Sequence, residues 1–181
     1  MKIIFTQRKM EEIRAEFSKI YDTYNGKIYR FIYLKVESRE VAEDLASEVF
    51  LSAWSAFAKA SSDKEIKNMQ AYLYQIARNT VSDHHGSKKV RTVSVEEYAD
   101  IPDMGDPVEE QAMISLEIER IKGVLKELNN DYQDLIIWKY LDELSYPEIA
   151  QITGKTEDTV RVGVHRAIQA LKGKLEATVT K

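Results

Sequence analysis

The sequence predicts an all-α protein: two small helical domains joined by a flexible acidic linker, the C-terminal one a helix-turn-helix. Three observations predict it. Apolar residues recur at spacings of three and four over long stretches on either side of a central segment, and no stretch alternates as a strand would. Glycine and proline are sparse, 7 and 3 of 181 residues, and two of the prolines (Pro102 and Pro107) fall in that central segment. Charge is also unevenly spread. The overall net charge is −4, but residues 1–90 carry +3, residues 91–112 carry −6 and residues 113–181 carry −1. The boundaries that follow are 8–90 for the first domain, 91–112 for the linker and 113–176 for the second.

Composition excludes several classes. With no cysteine there is no disulfide scaffold, thiolate zinc site or Cys nucleophile, and three histidines make a protein-built catalytic zinc site improbable. No Gly-rich phosphate loop and no nucleophile–base pair stands out, so no catalytic residue, cofactor, metal or small-molecule substrate is expected. The apolar run Ile3-Ile4-Phe5 is too short for a signal peptide, and no later stretch is long and apolar enough to span a bilayer. A cytoplasmic protein without direct membrane insertion is expected. The sequence pI near 5.5 argues against bulk nucleic-acid binding but leaves room for local patches. Lys64–Arg91 holds six basic residues against two acids, and Lys155–Lys174 five against two.

In the first domain Ile13, Phe17, Ile20, Tyr24, Ile28, Phe31 and Ile32 mark one amphipathic helix, or a closely joined pair broken at Asn25-Gly26. Over Glu40–Phe57, the rows Leu45, Val49, Ala53 and Ala46, Phe50, Trp54, Phe57 give a wide buried face. Opposite them Glu40, Asp44 and Glu48 stand four residues apart, where like charges repel by a few tenths of a kcal/mol per pair. Such a stripe is either a solvated acidic face or a docking surface for a basic partner. A polar loop, Ala58–Lys67, leads to Asn68, a good N-cap for a helix over Met69–His84. Leu73, Ile76, Ala77 and Thr80 make its buried side. Its other side mixes Tyr72, Gln75, Arg78, Asn79 and Ser82, groups that bind phosphate, read base edges and stack on unpaired bases. Packing is the competing role for Tyr72. Asp83-His84-His85 offers ring nitrogens, but adjacent histidines diverge on a helix and make a poor metal site.

In the second domain Ile114, Ile118, Ile121, Leu125 and Leu128 form a stripe that breaks at Asn129-Asn130. Asn130 or Asp131 can cap the next helix, in which Leu135, Ile136, Trp138 and Tyr140 include core positions. Ser145 and Glu148 form a capping box, with Pro147 in the first turn where its missing N–H is harmless. Ala150 is small enough for a second helix to cross closely. Gly154 supplies the tight turn, Thr156 the next cap, and Glu157 and Asp158 suit the helix N-terminus. Val160, Val164, Ala167, Ile168, Leu171 and Leu175 are the core stripe of the last helix. Its other face offers Arg161, Val162, His165 and Arg166 to a major groove. Gly163 costs about 1 kcal/mol relative to alanine; the sequence gives no firm account of it, and close approach to a phosphate backbone is one possibility.

These residues resemble a known family. Val41-Ala42-Glu43-Asp44-Leu45-Ala46-Ser47-Glu48-Val49-Phe50-Leu51 with Ala53-Trp54 is similar to the polymerase-binding helix of the extracytoplasmic-function group of bacterial RNA polymerase sigma factors. Tyr72-Leu73-Tyr74-Gln75-Ile76-Ala77-Arg78-Asn79 resembles the same family's promoter-melting helix. Leu144-Ser145-Tyr146-Pro147-Glu148-Ile149-Ala150, then Thr159-Val160-Arg161 and His165-Arg166-Ala167, resemble its region-four helix-turn-helix. Three motifs in the family's order, running from about Phe17 to Leu175, are highly specific.

The resemblance implies a protein that docks on core RNA polymerase and directs promoter-specific initiation. Glu40, Asp44, Ser47, Glu48 and Leu51 would meet the clamp helices of the largest subunit, and the second domain the flap of the other large subunit. Lys67, Asn68, Tyr72, Gln75, Arg78 and Asn79 would hold the melted downstream element, capturing an unstacked base. Thr156, Thr159, Arg161, Val162, His165 and Arg166 would read the upstream element as duplex. The linker would thread the cationic path that RNA later takes, and an anti-sigma factor is a frequent partner in the family. The chain departs from the family pattern in four places. Tyr72 replaces a usual Trp, Ser47 a common Gln, Thr153 and Lys155 usual apolar residues, and Val162-Gly163 a common Ser-Arg pair. The rival readings are a stand-alone helix-turn-helix regulator, which needs neither the acidic stripe nor the melting-type helix, and a sigma-like decoy that binds polymerase without promoters.

Overall fold

Low rates of glycine and proline leave little to interrupt a helix, and helices are what the chain forms. The computed structural model describes residues 2–63, 66–88 and 119–179, and every regular element among them is helical. The chain divides into two compact units, Met1–Gly86 with Gln151–Gly154, and Ser87–Ala150 with Lys155–Lys181. The linker, 91–112, lies outside the described residues, as do the expected stripe positions Ile114 and Ile118.

The first unit comprises α1 (Lys2–Tyr33), α2 (Arg39–Asp63) and α3 (Met69–Lys88). α1 runs unbroken through Asn25-Gly26. The helix-propensity cost of Gly26, about 1 kcal/mol, is outweighed by apolar contacts on either side. Phe17 meets Trp54 and Phe57 of α2 at ring-centroid distances of 5.2 and 5.6 Å, and Tyr21 meets Phe50 at 4.8 Å. Ile28, Phe31, Ile32, Val49 and Ala53 are completely buried, each large side chain contributing roughly 1.5–3 kcal/mol. α3 adds Leu73, Ala77 and Val81, and Tyr74 meets the edge of Phe31 at 5.7 Å. The expected loop Ala58–Lys67 is shorter than its polarity suggests. α2 continues to Asp63 because Ala58, Lys59 and Ala60 are strong helix formers and Ala58 is half-buried. α3 likewise passes His84 and reaches Lys88.

The C-terminal helices are α4 (119–126), α5 (Asn130–Ile136), α6 (Tyr146–Thr153) and α7 (Glu157–Val179). The cap of α5 is Asn129, one residue earlier than expected: its side-chain oxygen accepts the Tyr132 N–H at 2.9 Å. α5 runs straight into a π-helical segment, Ile137–Leu141, whose Trp138 is completely buried. The chain turns out of it at Glu143, which holds a left-handed φ of 58°. That turn brings the Leu144 N–H to the Trp138 carbonyl at 2.8 Å. Around α6 the core is made by Leu144, Ile149 and Ile152, while Ala150 is only half-buried. In α7 the core positions are Val160, Val164 and Ala167. Ile121, Tyr140 and Leu175, which the periodicity assigns to the interior, are instead exposed.

Candidate functional site

Three surfaces carry the chemistry. The first is the outer face of α2. At 100° per residue, Ser47, Glu40, Leu51, Asp44 and Glu48 fall in that angular order within an arc of roughly 100°. All five are exposed, and Leu51 at the middle of the arc is 66% accessible. An apolar side chain so exposed among carboxylates suits a basic partner with an apolar contact at its centre. Ser38 starts α2 by accepting the Val41 N–H at 3.3 Å. The backbone N–H of Glu40 itself and then the Ser38 hydroxyl hold the Glu40 carboxyl below its ordinary value, so it stays ionised. Arg39 pairs with Glu43 at 2.8 Å, one turn along. The Ser47 hydroxyl donates to the Glu43 carbonyl at 2.9 Å, so its hydrogen is spent inside the helix.

The second surface is the start of α3. Asn68 caps the helix as expected, its Oδ1 accepting the Ala71 N–H at 2.9 Å. Asn68, Tyr72, Gln75 and Asn79 then share an arc of roughly 60°, with Arg78 about 60° beyond it on the Gln75 side. Lys67, Gln75 and Asn79 are exposed, while Asn68, Tyr72 and Arg78 are half-buried. Half-burial of Tyr72 is compatible with either of its two competing roles, packing or contact with a base. At the far end of α3 the rings of His84 and His85 lie 5.9 Å apart. Burial pushes the His85 imidazole below its ordinary value. No group of three or more metal-ligating side chains occurs among the described residues.

The third surface is the helix-turn-helix, α6 and α7. The capping box is complete. Glu148 Oε2 accepts both the Ser145 N–H, at 2.8 Å, and the Ser145 hydroxyl, at 2.6 Å, while the Glu148 N–H reaches Ser145 Oγ at 3.4 Å. Gly154 turns the chain with a φ of 68°, where a Cβ would be strained. Thr156 Oγ1 caps α7 through the Thr159 N–H at 3.3 Å and lies 2.8 Å from the Thr159 hydroxyl. Beyond the cap, Arg161, His165, Val162 and Arg166 follow one another round the exposed face within roughly 140°. Gly163 is not on that face. It flanks the core, and a Cβ there would come within 2.9 Å of Leu135 Cδ1 on α5. Close passage of α7 over α5, within this unit, accounts for the glycine; a phosphate backbone is not required.

Sequence reasoning missed one feature. Ile121, Val124, Tyr140, Leu171 and Leu175 line an almost wholly apolar groove of about 330 Å³ between α4, the π-helical segment and α7. Ile121 and Leu175 are 44% and 40% accessible. The signal was present: the apolar stripes of α4 and α7 are longer than their shared core needs.

Comparison with known proteins identifies the family. The sigma-70 region 2 family matches residues 20–91 and the sigma-70 region 4 family residues 118–171. The ECF RNA polymerase sigma factor SigW of Bacillus subtilis is 31% identical over 88% of this chain and 88% of its own length. The ECF sigma factor BldN of Streptomyces coelicolor is also 31% identical over 86% of this chain, which spans only 58% of that longer protein. Among solved structures, CnrH in complex with the cytosolic domain of CnrY has the same fold, with a TM-score of 0.66 at 18% identity, covering 91% of this chain and 90% of that one. So does the sigma factor RpoE of Bartonella quintana in complex with the anti-sigma factor NepR, at 0.63 and 22%, covering 89% and 97%. The chain belongs to the extracytoplasmic-function group of the sigma-70 family, RNA polymerase sigma factors that act in promoter-specific initiation of transcription.

Proposed function

We propose that the three surfaces divide the work of a sigma factor among them, with residues 8–90 docking on polymerase and melting the promoter, 91–112 linking, and 113–176 reading duplex DNA. Glu40, Asp44, Ser47, Glu48 and Leu51 meet a basic, partly apolar surface on the largest polymerase subunit. The start of α3, through Lys67, Asn68, Tyr72, Gln75, Arg78 and Asn79, holds the separated downstream strand. Unstacking a base costs a few kcal/mol, which ring stacking and amide contacts on this face offset. Arg161, His165 and Arg166 contact the upstream duplex beside Val162, with Thr156 and Thr159 at the helix start. The apolar groove beside Leu175 receives an apolar segment of the other large subunit. Its chemistry is that of an initiation factor, with catalysis left to the polymerase. A cytoplasmic site of action follows, and no described helix is long and apolar enough to cross a membrane. An anti-sigma partner competing for the same surfaces belongs to this reading.

The observation that carries it is the α2 face, where three exposed carboxylates surround an exposed leucine. The test is co-migration of the purified protein with sigma-free core polymerase, then run-off transcription on fragmented genomic DNA. Wild type is expected to bind and to give discrete transcripts. Asp44→Lys with Glu48→Lys is expected to abolish binding while helicity and Tm stay nearly unchanged. Unchanged affinity of that double variant for core polymerase removes the docking assignment. Polymerase binding with no transcript from any fragment favours the decoy. A duplex shift by the protein alone, with no polymerase binding, favours a stand-alone regulator.

A further inference from the structure

We infer that Tyr146 is a positioning residue for Arg161, presenting the guanidinium to DNA already oriented; this rests on the proposed role of Arg161 at the promoter. Arg161 is exposed in the first turns of α7, where a free arginine side chain samples many rotamers. Its guanidinium carbon lies over the Tyr146 ring, 5.0 Å from the centroid. Tyr146 opens α6 and is half-buried, and the preceding residue is the doubly bonded Ser145 of the capping box. The ring is therefore mounted on the most firmly tied backbone of the motif.

The same ring carries a second cation. Lys139 Nζ sits 4.6 Å from its centroid and donates to the Leu144 carbonyl at 3.1 Å. Two cations that repel each other share one phenol, and attraction to the negative face of the ring is what draws both there. A guanidinium that stacks flat on a ring engages it through its own π face. The five N–H donors lie in the plane and remain available to a phosphate or a guanine edge. Tyr146 thus fixes the direction of Arg161 without consuming the groups that contact DNA. The capping pattern alone gives Tyr146 no such role, since any good helix former serves at the first helical position.

The test is a double-mutant cycle in the full-length protein with core polymerase, using a promoter fragment recovered by run-off transcription. Tyr146→Phe and Tyr146→Leu are each made with Arg161 and with Arg161→Ala, and promoter affinity and its salt dependence are measured. Tyr146→Phe keeps the ring and is expected within twofold of wild type. Tyr146→Leu is expected to weaken binding roughly 2- to 5-fold, with no further loss once Arg161 is already alanine. Additive losses, or a Phe variant as weak as the Leu variant, overturn the inference while leaving Arg161 a DNA contact. An Arg161→Ala variant that binds as wild type removes the promoter role of Arg161 itself, and the inference with it. Should Tyr146→Leu melt early, progressively fluorinated phenylalanines at 146 weaken the ring face at nearly constant size. A graded loss of affinity that vanishes with Arg161→Ala supports the inference; a flat series overturns it.

Discussion

Gly163 shows that what a helix position meets is decided by its angle on the helix and not by its neighbours in sequence. It stands between Val162 and Val164 on α7, and its Cβ position points at Leu135 Cδ1, 2.9 Å away. The obstructing atom is the end of a flexible side chain, which can swing aside. Gly163→Ala is therefore expected to change stability by less than about 1 kcal/mol, the propensity gain offsetting the displaced leucine. Gly163→Phe cannot be absorbed this way and is expected to cost about 1–3 kcal/mol; thermal melting of the two variants checks the pair. His85 gives a second prediction. Burial lowers its pKa from 6.5, against an opposing effect of Glu37 and an assisting one of His84. As pH falls through 6.5 the unfolded chain binds the proton first. The stabilisation is thus fully present above 6.5 and is lost as pH drops towards the lower folded value. His85→Gln is expected to flatten the decline of Tm over that window, above the carboxylate range. An unchanged slope excludes His85 as a source.

At the level of elements, the helices announced themselves wherever short-range chemistry ends or starts them. Asn68, the Ser145–Glu148 box, Gly154 and Thr156 all act where the sequence places them, because a cap is decided by three or four consecutive residues. The tail of α2 past Phe57 was not legible, since Ser61, Ser62 and Asp63 read as loop whenever propensity is judged one residue at a time. The π-helical turn at Ile137–Leu141 carries no local signature at all. Periodicity also fails to say where a core stops: Ile121 and Leu175 continue perfect stripes and still end up accessible. Their groove is the basis of a prediction at this scale. Ile121→Asp with Leu175→Glu is expected to lower affinity for core polymerase by more than about 1 kcal/mol while leaving Tm close to wild type, because both side chains are already partly hydrated. A large fall in Tm would show instead that the groove is structural. That the candidate residues of each set would share a face was legible, because each set follows the period of one helix. Their burial was not, because it depends on the neighbouring helix.

For the molecule as a whole, a net charge of −4 must coexist with DNA binding. The net charge then gives no long-range attraction to a duplex, and on the proposed reading the cations of α7 supply a large part of the affinity. Each arginine that neutralises a phosphate adds about 0.9 to the slope of log affinity against log salt. Arg161→Ala and Arg166→Ala are each expected to reduce that slope by about 1, measured on the holoenzyme by fluorescence anisotropy across a salt series. A slope equal to wild type for either variant means that arginine does not touch phosphate.

The first unit packs α1 against α2, its neighbour in sequence, and both helices lie within the first 63 residues. Contacts between sequence neighbours close short loops, and helical domains of this kind fold in microseconds to milliseconds. A ribosome adding 5–20 residues per second needs roughly 5–20 s to finish the rest of the chain. The α1–α2 pair, which sets the face that Glu40, Asp44 and Glu48 present, is therefore able to close while the C-terminal helices are still being made.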